Sequence, residues 1–424
     1  MNFDTICVVG LGYIGLPTAT MFASRRKKVV GVDVNKHVVD TINRGEIHIV
    51  EPELDIAVHA AVKEGYLRAT ARPEPADAFL VAVPTPFKKR QAEDEIPSPD
   101  LSYIQAAADS IAPVLEKGNL VILESTSPVG ATEQMADWLA EARPDLTFPQ
   151  QAGEEADVMV AHCPERVLPG RVMYELIEND RIIGGMTAKS STAACDLYKT
   201  FVRGECLTTT ARTAEMAKLT ENAFRDVNIA FANELSIICD GLSIDVWELI
   251  KMANRHPRVN ILNPGPGVGG HCIAVDPWFI VSRSPNESKV IKSARDVNDG
   301  KPIWTFEKVK EAVERIRNKK GNVTVGVYGL TFKADIDDLR ESPAMRVSEL
   351  IVSNIDAEFV FVEPNIKKLP SSLEGQGVMK EFDQAAKCCD LHVFLVDHKE
   401  FLDKSEKVSG EIFDTKGIVK RDGL

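Results

Sequence analysis

Short apolar runs alternate with stretches of helical periodicity along most of this chain. The first run spans 5–9 and the second spans 29–32, with a helical stretch through Ser24 between them. Continuous apolar runs of this kind are typical of parallel strands that are buried on both faces. Similar runs predict strands at 79–83, 120–123, 158–161, 323–328, 359–362 and 392–396. The pattern therefore predicts an α/β fold with mainly parallel sheets.

A glycine pattern follows the first predicted strand and opens the first predicted helix. Gly10, Gly12 and Gly15 form a G-x-G-x-x-G, and Asp33 ends the second strand about 20 residues later. The glycines allow a pyrophosphate to approach the helix N-terminus, and the acid can accept a hydrogen bond from a ribose 2′-OH. Because that acid would repel a 2′-phosphate, we predict NAD rather than NADP. The second α/β unit, from residue 322, lacks this pattern, so a second dinucleotide site is not expected.

Polar turns follow three other predicted strands of the first half. They contain Thr85, Thr126, Glu165 and Arg166. The carboxyl ends of strands are where ligands lie in doubly wound sheets, so these side chains are candidates by position. Ordinary turn chemistry is the alternative explanation for each of them.

A long helix is predicted over 212–240, closed by Gly241, and it is apolar over much of its circumference. Its polar residues Glu215, Lys218, Asn222 and Arg225 are spaced so that all four share one stripe. The solvent face of an amphipathic helix would show the same spacing. A shorter helix is predicted over 247–253, and a surface helix that bridges two domains is predicted over 301–321.

A loop rich in glycine and proline precedes one cysteine. Residues 264–270 contain four glycines and two prolines, which neither a helix nor a central strand tolerates. Cys272 and Asp276 follow, as expected for a thiol that a shaped loop presents and for an acid that orients a partner. The alternative is a turn followed by a small buried cysteine.

Composition excludes several classes of protein. The 424-residue chain has a formal net charge of −13 and no long run of lysine and arginine, which argues against a nucleic-acid partner. No apolar run approaches the ~18 residues of a membrane-spanning helix, and the amino end does not resemble a signal peptide. The eight cysteines form no C-x-x-C pair, which argues against a zinc site and a disulfide framework. We therefore expect a reduced, cytoplasmic protein with no metal and no membrane partner.

Eight stretches along the whole chain resemble one family of enzymes. They are GLGYIGLPTA, INRGEIHIVEP, AVPTPF, ESTSPVG, CPERVLPG, RTAEMAKLTENAFRDVNIAFANE, ANRHPRVNILNPGPGVGGHCIAVDPWFIV and DDLRESPA. The family is that of the nucleotide-sugar 6-dehydrogenases, which includes UDP-glucose and GDP-mannose dehydrogenases. The resemblance implies two Rossmann-like doubly wound domains joined by a long central helix. It implies an NAD-binding domain at 1–205, a central helical dimerisation region at 206–300 and a UDP-sugar-binding domain at 301–424.

The same resemblance implies roles for individual residues. Those implied to be catalytic are Cys272, as the nucleophile, with Lys218, Asn222, Asp276 and Glu165. Those implied to bind NAD are Gly10, Gly12, Tyr13, Ile14, Gly15, Asp33, Thr85, Thr126 and Arg340. Those implied to bind the nucleotide sugar are Arg166, Val167, Lys218, Asn222, Arg225, His256, Arg258, Gly269, Phe332 and Lys333. The resemblance also implies a homodimer in which Arg258 reaches the neighbouring site.

The implied reaction oxidises a primary alcohol at C6 of a UDP-sugar to an acid. This takes four electrons and two NAD, with a thiohemiacetal and then a thioester on the cysteine. The expected substrate is UDP-N-acetyl-D-mannosamine, used for bacterial surface polysaccharides such as enterobacterial common antigen. Residues 273–275 are uncharged here, whereas UDP-glucose and GDP-mannose enzymes usually carry a proline and a lysine there.

Other functions stay open at this stage. UDP-glucose and UDP-N-acetylglucosamine are the competing sugars. A two-electron 3-hydroxyacid dehydrogenase is a competing enzyme, because that group also pairs a lysine with an asparagine four residues later. A non-catalytic sensor of NAD or of a nucleotide sugar is a competing binding protein. The number of NADH formed per sugar separates these three classes as two, one or none.

Overall fold

The computed structural model describes residues 3–88, 96–168, 170–270 and 272–419, so Pro169 and His271 lie outside the described residues. The chain forms two compact units, Met1–Glu221 with Ser282–Ser284, and Asn222–Val281 with Pro285–Leu424. The region predicted as a central part at 206–300 is divided between these units.

The first unit is built on a mainly parallel sheet. Its strands within the described residues are β1 Thr5–Val9, β2 Lys28–Val32, β3 Leu67–Thr70, β4 Ala78–Val81, β5 Leu120–Leu123, β6 Met159–His162, β7 Arg181–Gly185 and β8 Cys206–Thr210. They lie in the order β3-β2-β1-β4-β5-β6-β7-β8, and β6 pairs with β7 in the antiparallel direction. The order reverses between β1 and β4, as in a doubly wound sheet, so ligands are expected at the carboxyl ends of these strands.

Helices cover this sheet. They are α1 Gly15–Ser24, α2 Lys36–Asn43, α3 Leu54–Lys63, α4 Ser102–Ile111, α5 Ala131–Ala142, α6 Pro149–Ala152, α7 Val172–Glu178 and α8 Ala188–Tyr198. β4 and β5 are buried along their whole length, which explains why they read as continuous apolar runs in the sequence. The predicted strands of this half are therefore present, with ends that differ by one or two residues.

The second unit is built on a parallel sheet of its own. Its strands within the described residues are β9 Thr324–Tyr328, β10 Glu358–Val362, β11 Val378–Met379, β12 Leu391–Phe394 and β13 Glu411–Asp414. They lie in the order β11-β10-β9-β12-β13. The later helices of the chain are α10 Val246–Ala253, α11 Asp276–Arg283, α12 Lys289–Lys320, α13 Pro343–Asn354, α14 Phe382–Cys388 and α15 Lys399–Lys404.

The long helix, α9, spans Ala211–Leu242. It begins in the first unit and continues into the second. The prediction that Gly241 closes it is wrong, because Gly241 lies inside the helix. Ser243 takes the left-handed conformation just after the end, with φ of 56°. The prediction of a fold with two Rossmann-like domains and a long central helix is confirmed.

The predicted surface helix over 301–321 is longer and more buried than expected. α12 begins at Lys289, lies wholly in the second unit and contains Pro302 in its interior. The predicted segment therefore covers only the later part of this helix. The predicted segment has an exposed side and buries Lys301, Thr305 and Phe306 on the other, but it lies in the second unit alone, so the expectation that it bridges two domains is wrong.

Lys301 is a buried cation in this helix. Its Nζ donates to Ser236 Oγ over 2.6 Å and lies 3.6 Å from the centre of the Trp304 ring. Burial lowers the pKa of Lys301 to about 7, and the charge of Asp240 offsets the shift only in part. The folded protein therefore releases this proton at a lower pH than the unfolded chain does.

Replacing Lys301 tests this consequence of burial. An unfolded lysine has a pKa of about 10.4, so between about pH 7 and pH 10 the unfolded state binds more protons, and the lysine makes stability rise with pH. Relative to the wild type, the free energy of unfolding of Lys301→Met should therefore decline across this window. Urea unfolding at several pH values measures it, with the exposed Lys319→Met as control. A constant difference would contradict the shift.

Candidate active site

The first turn of the first unit requires its glycines. Gly10 has φ of 93°, and a Cβ added to it would lie 2.5 Å from the Ala82 carbonyl oxygen. A Cβ added to Gly15 would lie 1.8 Å from the Gly10 carbonyl oxygen. Larger residues would therefore push the strand and the helix apart. The predicted tight turn between β1 and α1 is present.

The N-terminus of α1 is open for an anion. The helix has no side-chain cap at Ile14, and a Cβ on Gly12 would meet nothing within 4 Å. Tyr13, between them, is 44% exposed. Uncapped N–H groups at a helix N-terminus favour a phosphate. The turn therefore has the space and the donors that a pyrophosphate needs.

Two further residues fit a dinucleotide. Asp33 follows β2, where its Oδ2 accepts from the Leu11 N–H over 3.1 Å and its Oδ1 accepts from the Asn35 N–H over 2.8 Å. A carboxylate has further lone pairs for a ribose hydroxyl. Thr85 Oγ1 is buried and has no hydrogen-bond partner among the described residues. Buried hydroxyl groups are rarely left without a hydrogen-bond partner, and a bound cofactor would supply one here.

Glu215 organises the turn that carries Thr126. One carboxylate oxygen accepts from the Gly130 N–H over 2.7 Å, and the other accepts from the Thr132 N–H over 2.8 Å and its hydroxyl over 2.6 Å. Burial raises the pKa of Glu215, although these hydrogen bonds oppose the shift. Glu215 thus supports the turn after β5. Of the other predicted stripe residues, Lys218 is half-buried, Asn222 is buried and Arg225 is exposed.

Glu165 is held by an arginine that no sequence pattern indicated. Arg181 Nη1, at the start of β7, lies 2.9 Å from Glu165 Oε2, and both side chains are buried. The guanidinium stacks 4.8 Å from the Tyr198 ring, whose hydroxyl donates to Glu124 Oε1 over 2.5 Å. Burial raises the pKa of Glu124 to about 7, although Arg181 opposes this. Glu165 also accepts from the Arg166 N–H over 2.6 Å, so a local bond and a distant arginine together fix its carboxylate.

The loop after Glu165 is also anchored. Arg166 donates from Nε to Glu221 Oε2 over 3.1 Å and lies 2.7 Å from the other oxygen of that acid. Val167 packs against the core, whereas Leu168 is exposed. Glu51 accepts from the N–H groups of residues 170 and 172, each over 2.8 Å. The path of this loop is thus fixed by three side chains that are distant from it in sequence: Glu51, Arg181 and Glu221.

In the second unit, the glycine-rich loop approaches other backbone closely. A Cβ on Gly269 would lie 2.5 Å from the Glu341 carbonyl oxygen and 2.8 Å from Phe332 Cβ. Gly270 has φ of 80° and lies against the Phe332 ring. The prediction of a shaped loop is confirmed, and it brings Gly269 together with Phe332, as their shared predicted role requires.

Cys272 is exposed, so the alternative of a small buried cysteine is wrong. Its carbonyl oxygen accepts from the Val275 N–H over 3.1 Å and the Asp276 N–H over 2.9 Å, which forms a tight turn into α11. Asn222 Nδ2 donates to Asp276 Oδ2 over 2.6 Å, and both side chains are buried. The structure therefore joins α9 to the cysteine loop through two of the predicted catalytic residues.

The loop after β9 carries the next predicted residues. Glu363 Oε2 accepts from the Leu330 N–H over 2.7 Å and from the Thr331 N–H over 3.3 Å, which fixes the start of this loop. Lys333 is exposed. Arg340, predicted to bind NAD, lies in the second unit and donates to Asp338 through Nε and Nη2. Its cofactor role stays a prediction.

Two other predicted residues lie in the loop after α10. His256 and Arg258 are exposed, and the Arg258 N–H donates to His256 Nδ1 over 3.3 Å. Asn254 holds this loop by accepting from the Ile261 N–H over 2.7 Å and donating to its carbonyl over 2.9 Å. The described residues contain no group of three side chains suited to hold a metal ion and no helix able to cross a membrane.

Comparison with known proteins decides the family. Sequence models of the UDP-glucose/GDP-mannose dehydrogenase family match residues 4–202 as its NAD binding domain, 212–300 as its central domain and 326–421 as its UDP binding domain. This chain belongs to the UDP-glucose/GDP-mannose dehydrogenase family. The predictions of a dehydrogenase and of NAD as its cofactor are thereby confirmed.

Several relatives in the family are similar over the full length. A UDP-N-acetyl-D-mannosamine dehydrogenase of Yersinia pestis is 62% identical over 99% of this chain and 100% of its own length. An NDP-N-acetyl-D-galactosaminuronic acid dehydrogenase of Ralstonia nicotianae is 60% identical over 99% and 97%. The solved UDP-D-ManNAc dehydrogenase of Pyrococcus horikoshii is 38% identical, with a TM-score of 0.85 and coverage of 99% and 97%.

The position of Asp33 generates a prediction about cofactor choice. The wild type should prefer NAD over NADP, and Asp33→Asn should narrow that preference by roughly tenfold, because two like charges about 4 Å apart repel by about 1–4 kcal/mol. Values of kcat/KM for both cofactors measure this, with the exposed Asp40→Asn as control. Equal use of the two cofactors by the wild type would refute the role of Asp33.

Proposed function

We propose that this chain oxidises UDP-N-acetyl-D-mannosamine at C6 to UDP-N-acetyl-D-mannosaminuronic acid, with two NAD consumed per sugar. The observation that carries the proposal is the exposed Cys272 on a loop that Asn222 and Asp276 brace. A two-electron dehydrogenase needs no such thiol. The names of relatives from Yersinia pestis and Pyrococcus horikoshii support the choice of sugar.

The proposed chemistry proceeds on the sulfur of Cys272. NAD, when bound at the Gly10–Gly15 turn, accepts one hydride in each of the two oxidations. The Cys272 thiolate adds to the carbon of the C6 aldehyde and forms a thiohemiacetal, which prevents escape of the aldehyde. Loss of a hydride from C6 and of the hydroxyl proton leaves a thioester. Water then breaks the carbon–sulfur bond, which gives the acid and returns the thiol.

The other polar residues stabilise charge in this scheme. Lys218 precedes Asn222 by one turn of α9, so both can face the same substrate oxygen. An amide nitrogen carries two hydrogens, so Asn222 can donate one to Asp276 and one to a developing oxyanion. Lys218 supplies the cation that favours a thiolate and the oxyanion. Asp276 or Glu165 activates the hydrolytic water.

The sugar is proposed from the relatives and from the loop chemistry. The two curated relatives at 62% and 60% identity carry the names of different N-acetylated sugars, so the galactosamine derivative is the second candidate. Half-buried Val167 could contact an acetamido methyl, while Arg166, His256 and Arg258 could pair with its amide. UDP-glucose lacks the acetamido group and would make none of these contacts. We also propose a cytoplasmic role in bacterial surface polysaccharide synthesis.

A homodimer is proposed from one face of α9. Exposed apolar residues recur along it, spaced so that they share one stripe about 80° wide: Met216, Phe224, Phe231, Ile238 and Leu242. An apolar stripe of this length is costly to leave in water. A second copy of this chain, seated along the stripe, would bury it.

The stoichiometry of NADH tests the proposed reaction. With UDP-N-acetyl-D-mannosamine, we expect two NADH per sugar, and Cys272→Ala should abolish acid formation while the protein still binds NAD. Cys388→Ala, which changes another exposed cysteine, should keep the full yield. One NADH per sugar in the wild type would contradict the four-electron reaction. Equal kcat/KM for UDP-glucose or UDP-N-acetylglucosamine would contradict the choice of sugar.

Sedimentation tests the proposed dimer. The wild type should sediment as a dimer, and Phe231→Glu should shift it towards monomer, because a carboxylate would have to be buried in an apolar interface. Lys319→Glu, at an exposed position at the end of α12, serves as the control. An active wild-type monomer would rule the dimer out.

A further inference from the structure

Four buried polar side chains connect α9 and α12 inside the second unit. Asp226 and Asn233 lie seven residues apart on α9, and Arg295 and Asn298 lie three apart on α12, so each pair shares a helix face. All four side chains are at most 1% exposed. Polar groups buried this deeply are costly unless each has a hydrogen-bond partner.

The hydrogen bonds within this group converge on the carboxylate of Asp226. Asp226 Oδ1 accepts from Arg295 Nη1 over 2.6 Å and from Asn298 Nδ2 over 2.8 Å. Since a carboxylate can only accept, it fixes which end of the Asn298 amide points towards it. Asn298 Oδ1 then accepts from Asn233 Nδ2 over 2.8 Å. The orientation of each amide therefore follows from the charge of Asp226.

The network also reaches the cysteine loop, at two places. Because Asn233 Nδ2 donates to Asn298, Asn233 Oδ1 is the atom that faces the loop, and it accepts from the Gly265 N–H over 2.9 Å. At the other end, Arg295 Nη1 donates to the Ile273 carbonyl oxygen over 3.5 Å. Gly265 begins the glycine-rich stretch and Ile273 directly follows Cys272. One network thus holds the backbone at both ends of this loop.

We propose that Asp226, Asn233, Arg295 and Asn298 are positioning residues that set the location of Cys272 by fixing both ends of its loop. The glycines give this loop more conformational freedom than other residues would, so its thiol depends on external support. A displacement of about 1 Å at a reacting group can lower a rate about 100-fold. The catalytic meaning rests on the proposed function, whereas the support of the loop does not.

Replacing one of the four residues should impair capture of the aldehyde by Cys272. Oxidation of the alcohol to the aldehyde does not use the thiol, but capture of the aldehyde does. In Asn233→Ala, kcat for acid formation should fall by about 10- to 100-fold with little change in the KM for NAD. NADH per sugar should fall from two towards one as free aldehyde accumulates, which hydroxylamine traps. A loss of folded protein alone would lower the rate and leave this ratio at two.

A second readout needs no substrate. The rate at which iodoacetamide alkylates Cys272, followed by peptide mass spectrometry, reports the environment of the thiol. It should change several-fold in Asn233→Ala. The matched control is Asn119→Ala: Asn119 is also buried, accepts from the Glu116 N–H and donates to the Ala76 carbonyl, at the amino end of β5. It should leave both the alkylation rate and the NADH ratio unchanged.

The outcomes separate the two claims. If the wild type oxidises no UDP-sugar but alkylation changes in Asn233→Ala, the proposed function fails and the loop support stands. Should Asn233→Ala not fold, Arg295→Lys carries the same test, since it keeps a cation beside Asp226 and shortens the reach to Ile273. Unchanged alkylation and an NADH ratio of two in a folded variant overturn the inference. Loss of the fold in both variants also overturns it, because the network would then be a folding element.

Discussion

The loops that carry the predicted site residues depend on carboxylates that accept hydrogen bonds from their backbone N–H groups. An irregular loop has no ladder to satisfy these groups, and a buried N–H without a partner is costly. Four acids fill this need, each with two or three backbone N–H groups: Asp33, Glu51, Glu215 and Glu363. The turns at the carboxyl ends of the strands are thereby shaped by the protein's own contacts, which is the preorganisation that binding and catalysis need.

The cysteine loop is supported in a different way. Its partners include the side-chain amides of Asn222 and Asn233, which share one face of α9. Asn233 bonds directly to the backbone of the loop, whereas Asn222 bonds to the carboxylate of Asp276. An amide donates and accepts at once, so it can pass an orientation from one group to the next. A carboxylate placed directly against the thiol would instead oppose formation of a thiolate. Amide support therefore suits a loop that presents a nucleophile.

What could be predicted from the sequence was local. The G-x-G-x-x-G turn, the strand ends and the glycine-rich loop depend on residue type and spacing, and the structure contains all three. Asn222 and Asp276 were predicted from family resemblance, and they meet in a hydrogen bond although 54 residues separate them. The extent of α12 was mispredicted, since the helix begins at Lys289 and not at residue 301.

The supporting residues were missed for one physical reason. Glu51 and Arg181 contact loops from far away in the sequence, and a lone acid or arginine gives no sign of its distant partner. Arg295 and Asn298 lie in the early part of α12, which precedes the helix predicted from the sequence. Their spacing of three did place them on one face, but only the packing of α9 against α12 shows that this face is buried.

The proposed reaction requires the substrate to become covalently bound to Cys272, and this bond can be detected directly. The enzyme is quenched with acid during turnover of UDP-N-acetyl-D-mannosamine and NAD, digested, and mapped by mass spectrometry. An Asp276→Asn variant, which lacks one of the two carboxylates proposed to activate the hydrolytic water, offers a second sample in which slower hydrolysis would let the thioester accumulate. We expect the peptide that contains Cys272 to carry the added mass of the UDP-sugar acyl group. Acid formation with Cys272 never modified, or with the acyl group on another residue, would contradict it.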